Sequence, residues 1–152
     1  MNGVLVAVDG AKGSRACVAA CARLFADRPP AVILLHVMQY GGPAAADGLS
    51  SDAELAELRA TIEGTPQMET LKAKAEATFT TPRTFLQEHG FGDVRTVVKI
   101  GRPAEEIVRA AAEYEVDLIV IGNTRGPIDK LILGDVAHRV ASTAPVPVLL
   151  AR

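Results

Sequence analysis

Apolar and polar positions along this chain alternate between two textures. Unbroken apolar runs recur at Val4-Leu-Val-Ala-Val8, Ala31-Val-Ile-Leu-Leu-His-Val37, Leu118-Ile-Val-Ile121 and Pro145-Val-Pro-Val-Leu-Leu-Ala151, with a fifth, more mixed run from Val94 to Ile100. Runs of this length suit strands buried on both faces, as in a parallel sheet. Between them, apolar residues fall at helical spacing. Ala16, Cys17, Ala20, Leu24 and Phe25 form one stripe, with Ser14 placed as its N-cap and Arg28-Pro29-Pro30 as its stop. Ala104, Ile107, Val108 and Ala111 form a second, opened by Pro103 after Gly101. Val136, Val140, Ala141 and Ala144 form a third, starting at Asp135.

The middle of the chain is less regular. Residues 39–51 are rich in Gly, Ala, Pro and Ser and read as a long loop. Asp52 is placed to cap a helix carrying Leu55, Leu58 and Ile62, which Gly64-Thr-Pro66 interrupts. A further helical stretch runs from Gln67 to Thr80, and Pro82 is expected to break or kink it before Phe85, Leu86 and Gly90. Whether residues 64–82 make one kinked helix or two stays open at this level.

Strands alternating with helices predict an α/β fold: a single five-stranded, mainly parallel sheet flanked by helices, in one domain over residues 1–152. Pro147 cannot donate to a ladder, which places the fifth strand at an edge. That edge is short and apolar, with no charge before Arg152. A homodimer through strand 146–151 would cover it.

Composition narrows the function classes. Hydrophobic residues are 49% and charged residues 22% of 152, with net charge −2, so nothing electrostatic points to nucleic acid or an anionic membrane. Aromatics are 4%, too few for base-stacking platforms. No apolar run is long enough to span a bilayer, and the start of the chain lacks a signal-peptide pattern, so a cytoplasmic location is expected. Cys17 and Cys21 share a helix face; no other Cys or His clusters with them in sequence, and they read as small packing residues.

The candidate chemistry lies in the last third. Asp117-Leu-Ile-Val-Ile-Gly122 is an apolar run ending in glycine; Asn-Thr-Arg-Gly126 follows, then seven residues, then Gly134-Asp135-Val136. Glycines after a strand and before a helix let backbone N–H groups approach an anion. The N–H groups of Asp135 and Val136 open the helix, whose positive end favours negative charge. The Asp135 carboxylate opposes this. Two unit charges at about 4 Å and a dielectric near 20 repel by about 4 kcal/mol. Arg125 and Lys130, or a divalent cation, are the groups that would offset it; as plain loop charges they would be solvated instead. His36 and His138 read as structural, and His89 as a helix-end residue beside Gly90. Neither G-x-S-x-G nor a Walker A motif is present. A phosphoacceptor receiver domain also fails: its third strand would end in Asp, where this one ends at Gly101.

Taken together, Val4-Leu-Val-Ala-Val-Asp9-Gly10, Leu34-Leu-His36-Val37, Gly101-Arg-Pro-Ala-Glu-Glu-Ile107, Asp117-Leu-Ile-Val-Ile-Gly122 and the ending Pro145-Val-Pro-Val-Leu-Leu resemble the universal stress protein family over nearly the whole chain. The resemblance implies a Rossmann-like fold of the adenine nucleotide alpha-hydrolase type, usually dimeric through the last strand. Some members bind adenine nucleotides, others do not, and several act as stress regulators or adapters. On that resemblance Asp9 stands near base and ribose, Val37 contacts the adenine, and Ile121 and Gly122 line the ribose. Read from the residues alone, Asp9 caps a turn or the first helix, and Val37 and Ile121 are core. Nucleotide-binding members carry G-x2-G-x9-G-[ST]. Here Gly122 and Gly126 have three residues between them, Gly126 and Gly134 have seven, and the hydroxyl is replaced by Asp135. The expected function is a dimeric stress-response regulator or adapter whose adenine-nucleotide cleft is altered. The alternatives are an ATP-dependent switch or weak ATPase using the 122–134 loop, and an interaction module whose 39–51 loop and following helices contact a protein partner. The expected cofactor is ATP, ADP or AMP, with Mg²⁺ for a triphosphate, or none.

Overall fold

A computed structural model describes residues 2–8, 12–38, 66–122 and 135–152. The expected loop at 39–51, the helix after Asp52 and the Gly64 interruption lie outside the described residues. Five strands form one parallel sheet: β1 (Gly3–Ala7), β2 (Ala31–Met38), β3 (Val94–Ile100), β4 (Leu118–Gly122) and β5 (Val148–Ala151), in the order β3-β2-β1-β4-β5. The chain winds from β1 outward to β3, then returns to the other side of β1 for β4 and β5. Its winding reverses between β1 and β4, where ligands settle in open α/β sheets.

Side-chain alternation explains the apolar runs. Val4, Val6, Val8, Val32, Leu34 and Val120 belong to the core on one face, with Cys17, Val18 and Cys21 of α1 (Lys12–Leu24) and with Phe79 and Leu86. Leu5, Ile33, Leu35, Ile119 and Ile121 fill the other, under α4 (Pro103–Glu113) and α5 (Asp135–Thr143). Both faces of β1 are covered, so none of its positions is left for a polar residue.

The helix starts at Lys12, not after Ser14. Ser14 sits inside the first turn and is buried. First-turn N–H groups have no intrahelical partner in any case, so a helix tolerates Lys12-Gly13 there and Ser14 need not be the cap. Cys17 and Cys21 are both fully buried and remain thiols, and burial pushes the Cys21 thiol up to about 12. Burial thereby disfavours the Cys21 thiolate at neutral pH, in agreement with a packing role.

Residues 66–88 form two helices, α2 (Pro66–Ala77) and α3 (Thr80–Glu88). The break falls at Thr78 and Phe79, before Pro82. The first α3 hydrogen bond runs from Arg83 N–H to the Phe79 carbonyl at 2.9 Å, so Pro82 occupies the last position at which no donor is needed. At the far end Phe91 N–H bonds to the Leu86 carbonyl (3.0 Å) and Gly90 N–H to that of Gln87 (3.1 Å). Gly90 has φ +89°. This is a Schellman closure, with Leu86 and Phe91 both buried beneath it.

Gly101 follows β3 at φ +152° and donates to the Met38 carbonyl at 3.0 Å. Pro103 then occupies the first turn of α4, as expected. β5 lies at the sheet edge, as Pro147 required, and begins one residue after it. The Pro147 carbonyl still serves the ladder, accepting from Ile119 N–H at 3.0 Å.

Candidate functional site

The carboxyl ends of β1 and β4 flank the reversal point. Val8, one residue past β1, is buried, and its N–H donates to the Leu35 carbonyl at 2.8 Å. This bond fixes the polarity of β2. Leu35 turns its backbone groups toward β1, whereas Val32 N–H bonds to the Asp93 carbonyl and the Met38 carbonyl accepts from Gly101, both on the β3 side. Odd positions of β2 therefore face β1, and Val37 is one of them.

The β1–β2 register ends at Ala7↔Leu35, two residues before Val37. Among the described residues, no backbone group pairs with the N–H or C=O of Val37 on that side. In a regular ladder the next bond would join Val37 N–H to the Val8 carbonyl. Instead, that carbonyl accepts from His36 Nδ1 at 2.8 Å. A donor and an acceptor thus lie side by side at the rim of the reversal point.

Across the crevice, Ile121 is buried in the core under α4 and α5 and pairs with Leu150, while Gly122, half-buried, ends β4 opposite Ala151. The Ile121 side chain is core, so its strand contributes backbone and a glycine surface to the rim. Asp135 and Val136 open α5; the Asp135 side chain is exposed and Val136 packs against the core. The last helix therefore begins at Asp135, as expected. Asp9, Arg125, Lys130, Gly126 and Gly134 lie outside the described residues. Among the described residues no group of His, Cys, Asp and Glu is arranged to hold a metal, and no helix is long and apolar enough to cross a membrane.

Nothing in the residue pattern distinguished Val37, whose backbone has no β1 partner among the described residues, from any other core strand residue. The one signal available was a histidine closing an otherwise apolar run. His138 is exposed on α5, and His89 Nδ1 donates to the Phe85 carbonyl at 2.7 Å while its ring stacks on Phe85, a helix-end role as expected.

A family model described as the universal stress protein family matches residues 1–152. The chain belongs to that family. The universal stress protein YxiE of Bacillus subtilis (strain 168) is 30% identical over 159 residues, covering 99% of this chain and 99% of that protein. A universal stress protein of Methanothermobacter thermautotrophicus is 43% identical over 58 residues, 38% of this chain and 40% of that protein; the match spans about two fifths of that relative. Among solved structures, a universal stress protein in complex with cAMP aligns at TM-score 0.69 and 20% identity, over 99% of this chain and 96% of that one. The universal stress protein of Archaeoglobus fulgidus in complex with dAMP aligns at TM-score 0.65 and 20% identity, over 100% and 98%. At these identities the structural likeness establishes the Rossmann-like fold.

Proposed function

We propose that this universal stress protein is a regulatory binding protein that takes an adenine nucleoside monophosphate into the crevice between β1 and β4. The observation carrying this reading is the Val37 backbone beside the reversal point, whose N–H and C=O have no backbone partner on the β1 side among the described residues. Its N–H and C=O match a planar base that offers a ring nitrogen beside an exocyclic amine. Two structurally similar proteins hold cAMP and dAMP, each with one phosphate. The first turn of α5 supplies the anion end, with Asp135 setting the limit on charge.

Because Asp135 is exposed, water screens its field and the high-dielectric figure applies: about 1 kcal/mol at 4 Å, or roughly fivefold in affinity per added charge nearby. Calorimetry is expected to show AMP or cAMP binding more tightly than ATP in the absence of Mg²⁺. Asp135→Ser is expected to tighten ATP about fivefold and AMP by less. ATP binding more tightly than AMP without Mg²⁺ would overturn the monophosphate reading.

The protein is further proposed to act as a homodimer through β5. Val148, Leu149 and Leu150 are half-buried, and among the described residues no strand pairs with the outer edge of β5. Light scattering at micromolar concentration is expected to give twice the chain mass, and Leu149→Lys to shift it toward the monomer. A wild-type monomer mass would rule the dimer out.

A further inference from the structure

We propose that His36 is a positioning residue: its ring occupies the Val8 carbonyl and so keeps the Val37 N–H open for a ligand. The consequence for binding rests on the nucleotide reading above; the exchange of hydrogen-bond partners rests on strand geometry alone.

A carbonyl oxygen only accepts, so the 2.8 Å contact places a proton on His36 Nδ1. Both the Nδ1–H tautomer and the imidazolium can make this bond. Val8 is buried, and a buried carbonyl left without a donor carries a desolvation cost. The ladder would ordinarily meet that need with Val37 N–H, the next donor in register. His36 meets it from the side-chain layer. Its ring lies on the α1 face of the sheet, with Val32, Leu34 and Val8, while its own backbone faces β3. β1 can therefore leave the ladder one bond early without stranding an acceptor, and among the described residues no backbone group of β1 takes the Val37 N–H or C=O.

Removing the ring reverses this. The Val8 carbonyl then recruits Val37 N–H, the β1–β2 ladder lengthens by one bond, and the ligand loses a donor. One hydrogen bond of this kind is worth about tenfold in affinity.

The test is amide hydrogen exchange by NMR, with AMP as the probe ligand. In ligand-free wild type, the Val37 amide is expected to exchange fast and that of Leu35 slowly, and AMP to protect Val37. His36→Leu is expected to protect Val37 without ligand and to weaken AMP about tenfold. His36→Asn places an amide donor near the Nδ1 position and is expected to restore fast exchange and AMP affinity to within about threefold. Loss of packing alone would weaken AMP without protecting Val37. A protected Val37 amide in ligand-free wild type overturns the proposal, as does a His36→Leu protein with unchanged exchange. Should His36→Leu fail to fold, wild type and His36→Asn decide: fast Val37 exchange in both supports the proposal, and protection in either overturns it. If wild type binds no AMP, the nucleotide reading falls, and the exchange pattern still decides what His36 does to Val37.

Discussion

Replacing Phe79 with alanine is expected to lower the unfolding free energy by about 3–5 kcal/mol, with the melting temperature falling by roughly 10 °C. Phe79 is 1% exposed and sits in the two-residue break between α2 and α3. Its ring belongs to the same core as Val4, Val6, Leu34 and Cys21, so truncation removes apolar contacts and leaves a void in a layer that has no free surface to collapse from. Its carbonyl also accepts the first hydrogen bond of α3, so movement of the backbone into the void would loosen that turn as well. Against a typical total of about 5–15 kcal/mol, the loss is a large fraction. Urea titration measures it: the midpoint falls while the slope stays constant. Leu71→Ala on α2 is the control; Leu71 is 44% exposed, and its truncation is expected to cost under about 1 kcal/mol. Equal effects of the two substitutions would show that the break does not rest on the sheet.

Gly101→Val is expected to cost about 1–3 kcal/mol, and Gly101→Ala to fall at the lower end of that range. The cause is conformational: at φ +152° an L side chain collides with its own backbone, and a β-branched one collides most. The chain cannot relax freely, because Gly101 N–H is held by the Met38 carbonyl and Pro103 commits the next turn to helix. Any shift that does occur is passed to Met38, the neighbour of Val37. Loss of stability in Gly101→Val is therefore expected to come with weaker AMP binding, whereas Phe79→Ala, on the opposite face from Val37, is expected to leave affinity unchanged when assayed below its melting temperature.

Much of this architecture was legible because burial on both faces leaves an unambiguous mark. β1 and β4 are apolar without interruption, β2 is apolar but for His36, and Pro147 assigns β5 to an edge. Helix ends were legible only where special chemistry announces them. Gly90 marks the end of α3. The end of α4 uses the same closure, with Val116 N–H on the Ala111 carbonyl at 3.1 Å, but the left-handed position is held by Glu115 at φ +51°. An ordinary glutamate carries no such signal. Pro82 misplaced the helix break by a few residues because a proline inside a first turn and a proline after a helix look alike in sequence. The glycine ending β4 and the acidic start of α5 were legible in the residue pattern, but the bond that His36 makes was not. The bond from His36 to Val8 crosses 28 positions of sequence, and only the register of two strands shows that it takes the place of a ladder bond.

The pairing of β1 with β4 also shapes how the chain reaches this state. β1 leaves the ribosome before the other four strands, and β2 can join it soon after. Its other edge waits for Leu118, Ile119 and Val120, and the Asn2 N–H that closes the corner finds its acceptor, the Asp117 carboxylate, 115 positions downstream. Until that late segment emerges, the apolar strand β1 presents one bare side. Such long-range parallel closure is slow and leaves nascent chains prone to clumping, so synthesis under crowded or heated conditions is the stage at which this protein most needs a chaperone.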